Sequence, residues 1–116
     1  MAADLGEVLD ALYATLVARR GADPSTSYVA SLYAKGADTI LKKIGEEAAE
    51  TIIAGKDCAS GGALERVRLV SEVADLCFHV MVLMAAYDVP LSSLGDELAR
   101  RTGRSGLAEK ASRSAT

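Results

Sequence analysis

The chain has 116 residues, half of them hydrophobic, with no tryptophan and a single phenylalanine. That length sets one domain, and the apolar content excludes an intrinsically disordered chain. A formal charge of −3 and an isoelectric point near 5.1 argue against a nucleic-acid binder, which is ordinarily basic.

A core limited to Leu, Val, Ile, Ala and Met suits packed helices, whose best formers dominate the sequence. So small a domain buries a modest share of its surface, and completion as a homodimer or higher homo-oligomer is expected. Cys77 sits in an apolar run and reads as a small core residue. Cys58 lies beside a Gly-rich stretch, and the two show neither CxxC spacing nor a disulfide framework. The N-terminal MAADLGEVLDAL carries acids where a secretory signal needs bases, so a cytoplasmic protein is expected. The longest nearly apolar run, from Val73 to Ala86, contains Asp75 and His79; it is too short and too polar for a bilayer span, and no membrane partner is expected.

In chain order, Leu5, Val8, Leu9, Leu12 and Leu16 fall at helical spacing, with Asp4 and Glu7 resembling a capping box. A first helix is therefore predicted over residues 4–19, broken by Gly21 and Pro24. SYVASLYA is a short helical stretch, and Gly36 marks a kink or break. A long helix follows from Ala37 to Ala54, with GKDCASGG as a loop. The next helix spans Ala63 to Tyr87 and stops at DVP. Ser93 and Asp96 form another cap-like pair, opening a last helix to Arg101. No β-alternation and no internal repeat is visible. The fold class is all-α, a small helical bundle, with a domain over 1–104 and a polar tail over 105–116.

The acids in this scheme need explaining. In the long helix, Leu41, Ile44, Ala48 and Ile52 define one apolar face, while Glu46, Glu47 and Glu50 cluster beside it. Glu47 and Glu50, three apart, lie one turn apart on one surface. Taken alone, this is an ordinary solvated face. The second segment is harder to dismiss. Glu72, Asp75 and His79 occupy a stripe about 60° wide at about 100° per residue. Every other direction around residues 73–86 is apolar, as in a buried helix. A buried carboxylate must be protonated, paired or bound to a metal, and no Lys or Arg lies between Val73 and Ala86.

If the two helices pack antiparallel, ExxE (Glu47, Glu50) and ExxD (Glu72, Asp75) bring four carboxylates to one point. Their mutual repulsion is relieved by a multivalent cation. All-oxygen ligation selects a hard ion, Mg²⁺ with Mn²⁺ as a possible substitute, over zinc. His79 reads as a core or outer-sphere histidine. Magnesium on protein carboxylates commonly coordinates substrate phosphates as well, and Lys35, Lys42, Lys43, Arg100, Arg101, Lys110 and Arg113 are the cations available to receive them. Gly61-Gly62 lacks the GK[ST] of a phosphate-binding loop. Ser27, Cys58 and Cys77 have no visible activating base, so a covalent intermediate is not expected.

The ExxE and ExxD pair resembles the metal motif of the all-α NTP pyrophosphohydrolase superfamily. Four stretches, SYVASLYAKG, KKIGEEAAE, EVADLCFHVMVLM and ARRTGRSGLAEKASR, together resemble the phosphoribosyl-ATP pyrophosphatase family over nearly the whole chain. The resemblance implies Mg²⁺-dependent hydrolysis of phosphoribosyl-ATP to phosphoribosyl-AMP and pyrophosphate in histidine biosynthesis, by a dimeric helical bundle. It implies Glu47, Glu50, Glu72 and Asp75 as metal ligands, with Glu46 a further acid near the site. One of Glu46, Glu47 or Glu50 would accept the proton of the attacking water. Lys35, Lys43, Arg100 and Arg101 would contact phosphate and phosphoribosyl groups. Two other readings stand beside it: a housekeeping dNTP pyrophosphohydrolase using the same metal cluster, and a non-catalytic helical module whose acids pair with a partner.

Overall fold

A computed structural model describes residues 2–102 together with Lys110 and Arg113. Among the described residues the secondary structure is wholly α-helical: α1 (Leu5–Ala18), α2 (Tyr28–Lys35), α3 (Ala37–Cys58), α4 (Ala63–Ala86) and α5 (Leu91–Arg101). The expected boundary between domain and tail, at residue 104, lies outside the described residues.

Asp4 caps α1 as its spacing foretold, its carboxylate accepting the Glu7 amide at 2.9 Å. Ser27 caps α2 through the Ala30 amide at 3.1 Å. Gly36 then breaks the chain outright, with φ 98° and ψ 175°. This region of backbone space is open essentially only to glycine. It sets α3 off at a new angle directly after Lys35.

Three sequence expectations are corrected here. Helix α3 runs on to Cys58, because Gly55 alone does not stop a helix; the Ser60-Gly61-Gly62 run does. The Cys58 thiol faces the Glu65 carbonyl at 3.3 Å, and Arg68 pairs with Asp57 at 2.8 Å, tying the extra turn to α4. Helix α5 opens at Leu91 after Pro90, with no side-chain cap, so Ser93 and Asp96 lie inside it. Cys77 is exposed, since the core takes the opposite flank of α4.

The core joins Leu16, Leu32, Ile40, Met81, Val82 and Ala85, with Tyr13, Tyr33, Ile44 and Phe78 packed around it. Leu16 and Val82 are wholly buried, and burying side chains of this size contributes about 1.5–3 kcal/mol each. Tyr33 donates its hydroxyl to the Leu16 carbonyl at 2.8 Å, and Tyr13 donates to the Val89 carbonyl. Arg20 pairs with Asp88, which turns the chain at φ 56° between α4 and α5.

Helices α3 and α4 form an antiparallel hairpin, the most extensive pairing in the molecule. In the first half of α4, between Glu65 and Leu76, only Glu65, Leu69, Glu72 and Leu76 turn away from solvent. They recur at alternating spacings of four and three, as in a coiled-coil seam. On α3 the most buried side chains, Ile40, Glu47 and Ala54, repeat every seven residues. Leu41 and Ile52, expected on the core face, are instead 48% and 67% exposed. The apolar girth of α4 is likewise not uniformly buried: Leu64, Val67 and Val70 stand 83%, 68% and 69% exposed. By length and composition alone α4 is long and apolar enough to span a bilayer, a test that the core helix of a packed bundle also passes. Of its polar residues, Glu72 turns its carboxylate toward Glu47 and Glu50 of α3, and His79 meets Tyr28 of α2.

Candidate metal centre

The seam places carboxylates face to face. Glu47, Glu50 and Glu72 each offer an oxygen within 4.8 Å of the other two. Glu47 is buried, Glu72 half-buried and Glu50 exposed, so the trio opens to solvent on one side. Thr51 stitches the helices together at this level. Its hydroxyl reaches the Glu47 carbonyl at 2.8 Å and the Glu72 carbonyl at 3.3 Å.

Oε2 of Glu47 and Oε2 of Glu72 are buried without a hydrogen-bond partner. Such orphaned oxygens are costly unless a cation or proton satisfies them. The electrostatics agree. Glu72 has its pKa raised, first by sharing a hydrogen with Glu50, then by burial and by the charges of Glu50, Asp75 and Glu47. The donor set is all oxygen, partly buried and open on one flank, and it fits a hard divalent cation.

Asp75, expected as the fourth ligand, stands outside the close trio. It lies one turn along α4 and is exposed, near enough for its charge to act on Glu72. Glu46 points to the rim, 3.2 Å from Lys43, whose ammonium also lies 3.7 Å from Glu47. Hydrogen bonding to Glu46 raises the Lys43 pKa. Lys43 therefore sits at the lip of the cluster, as its position in the helix suggested. Lys35 ends α2 and is exposed. Arg100 and Arg101 both pair with Glu97 on α5, at 2.6 and 3.1 Å. The two guanidiniums, Arg100 foremost, pull the Glu97 pKa down to about 2.

Two side chains at this site were assigned no role in the sequence reading. One is Thr51, four residues after Glu47 and so on the same face of α3, a spacing that could have pointed to it. The other is Tyr28, which meets His79 across 51 positions of sequence and carries no local signal. A separate depression of about 410 Å³ at the α3–α4 turn is lined by Asp57, Ser60, Gly61, Leu64, Glu65 and Arg68. Arg68 there pairs with Asp57, and Glu65 accepts the Gly62 amide, so the carboxylate cluster is the stronger candidate.

The fold and this cluster define an all-helical protein whose central hairpin carries an acidic site compatible with a divalent cation. Residues 9–102 match the family model described as phosphoribosyl-ATP pyrophosphohydrolase. The chain is 55% identical over 109 residues to a phosphoribosyl-ATP pyrophosphatase of Novosphingobium aromaticivorans, covering 94% of this chain and 96% of that protein. Proteins of the same name from Trichlorobacter lovleyi and Geobacter sulfurreducens are 51% and 52% identical, over 91% and 92% of this chain and 93% and 94% of their own. The chain belongs to the phosphoribosyl-ATP pyrophosphohydrolase family.

Proposed function

We propose that this protein hydrolyses phosphoribosyl-ATP to phosphoribosyl-AMP and pyrophosphate, the second step of histidine biosynthesis, in the cytoplasm. The observation that carries the reading is the coincidence of family membership over residues 9–102 with two buried, unpartnered carboxylate oxygens at the centre of the hairpin. Glu47, Glu50, Glu72 and Asp75 would hold Mg²⁺, or Mn²⁺ in its place. When bound, the ion supplies neutralising charge for the departing pyrophosphate and acidifies water beside the scissile anhydride.

The chain's own groups divide the remaining work. Lys43, at the rim, meets phosphate oxygens, and Lys35, Arg100 and Arg101 extend that cationic reception. Glu46 and Glu50 are exposed whereas Glu47 is buried, so proton acceptance from the attacking water falls to Glu46 or Glu50. No covalent enzyme intermediate is needed.

The working form is a homodimer or higher homo-oligomer. Ile52, Ile53, Leu64, Val67 and Val70 leave an apolar flank of the α3–α4 hairpin exposed, and patches of this kind mark association surfaces. A dNTP pyrophosphohydrolase is the second reading, since the same three carboxylates would serve a divalent cation on that substrate too. A bacterial strain lacking its own phosphoribosyl-ATP pyrophosphatase tests the assignment. The wild-type chain should restore growth without histidine and Glu47→Gln should not; failure of the wild-type chain would refute the pathway assignment.

A further inference from the structure

Tyr28 and His79 take no part in the chemistry above, yet they are joined. The Tyr28 hydroxyl lies 2.8 Å from His79 Nε2, and His79 Nδ1 lies 2.7 Å from the Asp75 carbonyl oxygen. A carbonyl only accepts, so Nδ1 carries a hydrogen, and in the neutral imidazole Nε2 accepts from the tyrosine hydroxyl. His79 is only 6% exposed, and both its nitrogens are used. The Tyr28 ring stacks on Phe78 at 6.5 Å, and His79 meets both rings edge-on at 5.9 and 5.2 Å. Tyr28 itself is 52% exposed, so burial of the ring is not what the arrangement chiefly achieves.

What it achieves is a fixed link from α2 to the turn of α4 that begins at Asp75. That acid is the expected ligand standing outside the close trio, so its alignment depends on how α4 is rotated and held. We propose that Tyr28 and His79 are a positioning pair, docking α2 on α4 so that Asp75 is presented to the same cation as Glu47, Glu50 and Glu72. This rests on the metal-site reading of the preceding section. The competing account is that the pair only packs α2 against the bundle.

The two accounts separate in a metal titration followed by thermal unfolding, without substrate. Tyr28→Phe keeps the ring stack and removes the hydroxyl; His79→Leu keeps the buried volume and removes both nitrogens. Positioning predicts that each variant raises the Mg²⁺ or Mn²⁺ concentration for half-maximal stabilisation about tenfold, as loss of an outer-sphere partner does. The double variant should be no worse than the poorer single one, because both act through one chain of contacts. Variants that titrate as wild type while their metal-free melting temperature falls would overturn the inference alone. A wild-type protein that gains no stability from either ion would overturn the metal reading and this inference with it. Should His79→Leu fail to fold, Tyr28→Phe decides the matter by itself.

Discussion

Glu72 of α4 rests carboxyl to carboxyl against Glu50 of α3, and the shared hydrogen holds the Glu72 pKa above its ordinary 4.5. A folded-state pKa above the unfolded one means the native protein keeps a proton that the unfolded chain has already released. Stability from this group is therefore complete below about pH 4.5 and is lost as pH rises through the raised folded value. Melting temperature in EDTA should fall over that window, and Glu72→Gln should flatten the difference. An unchanged slope in the variant would mean that the Glu50–Glu72 contact does not form in solution.

Removing the buried ligand should separate stability from activity. Glu47 has an orphaned oxygen inside the seam and a carboxylate crowded by Glu50 and Glu72 that Lys43 offsets only from 3.7 Å, so Glu47→Gln should leave the metal-free melting temperature unchanged or higher. Activity should fall by about 100-fold or more, at or beyond the upper end of what outer-sphere partners cost. Stabilisation by Mg²⁺ should disappear with it. A variant that retains most of its turnover would remove Glu47 from the metal site.

Much of this site was legible in the sequence because the hairpin obeys a simple repeat. The i, i+3 spacing of Glu47 with Glu50 on one helix, and of Glu72 with Asp75 on the next, pointed to carboxylates meeting if the helices pack antiparallel; the seam that brings Glu47 and Glu72 together runs through Ile40, Ala54, Leu69 and Leu76. The same pattern was obscured on the outer flank. Val67, Val70 and Ile52 are as apolar as core residues, and one chain's periodicity does not distinguish a surface left for a partner from a surface packed inside. That is why Leu41 and Ile52 were assigned to the core face and Cys77 to the interior. The end of α3 was misplaced because Gly55 reads as a stop, while the contacts that extend the helix, Asp57 to Arg68 and Cys58 to Glu65, come from the other arm of the hairpin. The Tyr28–His79 bond is invisible for a related reason: only the tertiary fold, turned at Gly36, brings the two together.

That turn is itself open to test. Gly36 adopts φ 98° although a Cβ there would meet no neighbour within 4 Å, so any penalty on substitution is conformational and not steric crowding. Gly36→Ala should cost about 1–3 kcal/mol, a fall of roughly 4–8 °C in melting temperature per kcal/mol for a domain near this size. A variant as stable as wild type would show that the joint between α2 and α3 is not held as described.

The exposed flank of the hairpin makes a separate prediction. Val67→Glu, at a site 68% exposed in the single chain, should shift the sedimenting species to the mass of one chain while leaving helical content intact. Wild-type protein that already sediments as one chain would contradict the association surface.

Pyrophosphate release from phosphoribosyl-ATP, measured with and without Mg²⁺ and set against a panel of dNTPs, decides both the metal centre and the substrate. Release from phosphoribosyl-ATP should depend on the metal, run well above the rate with any dNTP, and be abolished by Glu47→Gln. Release from dNTPs at matching or greater rates would keep the carboxylate cluster and contradict the substrate; release that ignores Mg²⁺ would contradict the cluster's role as a metal centre.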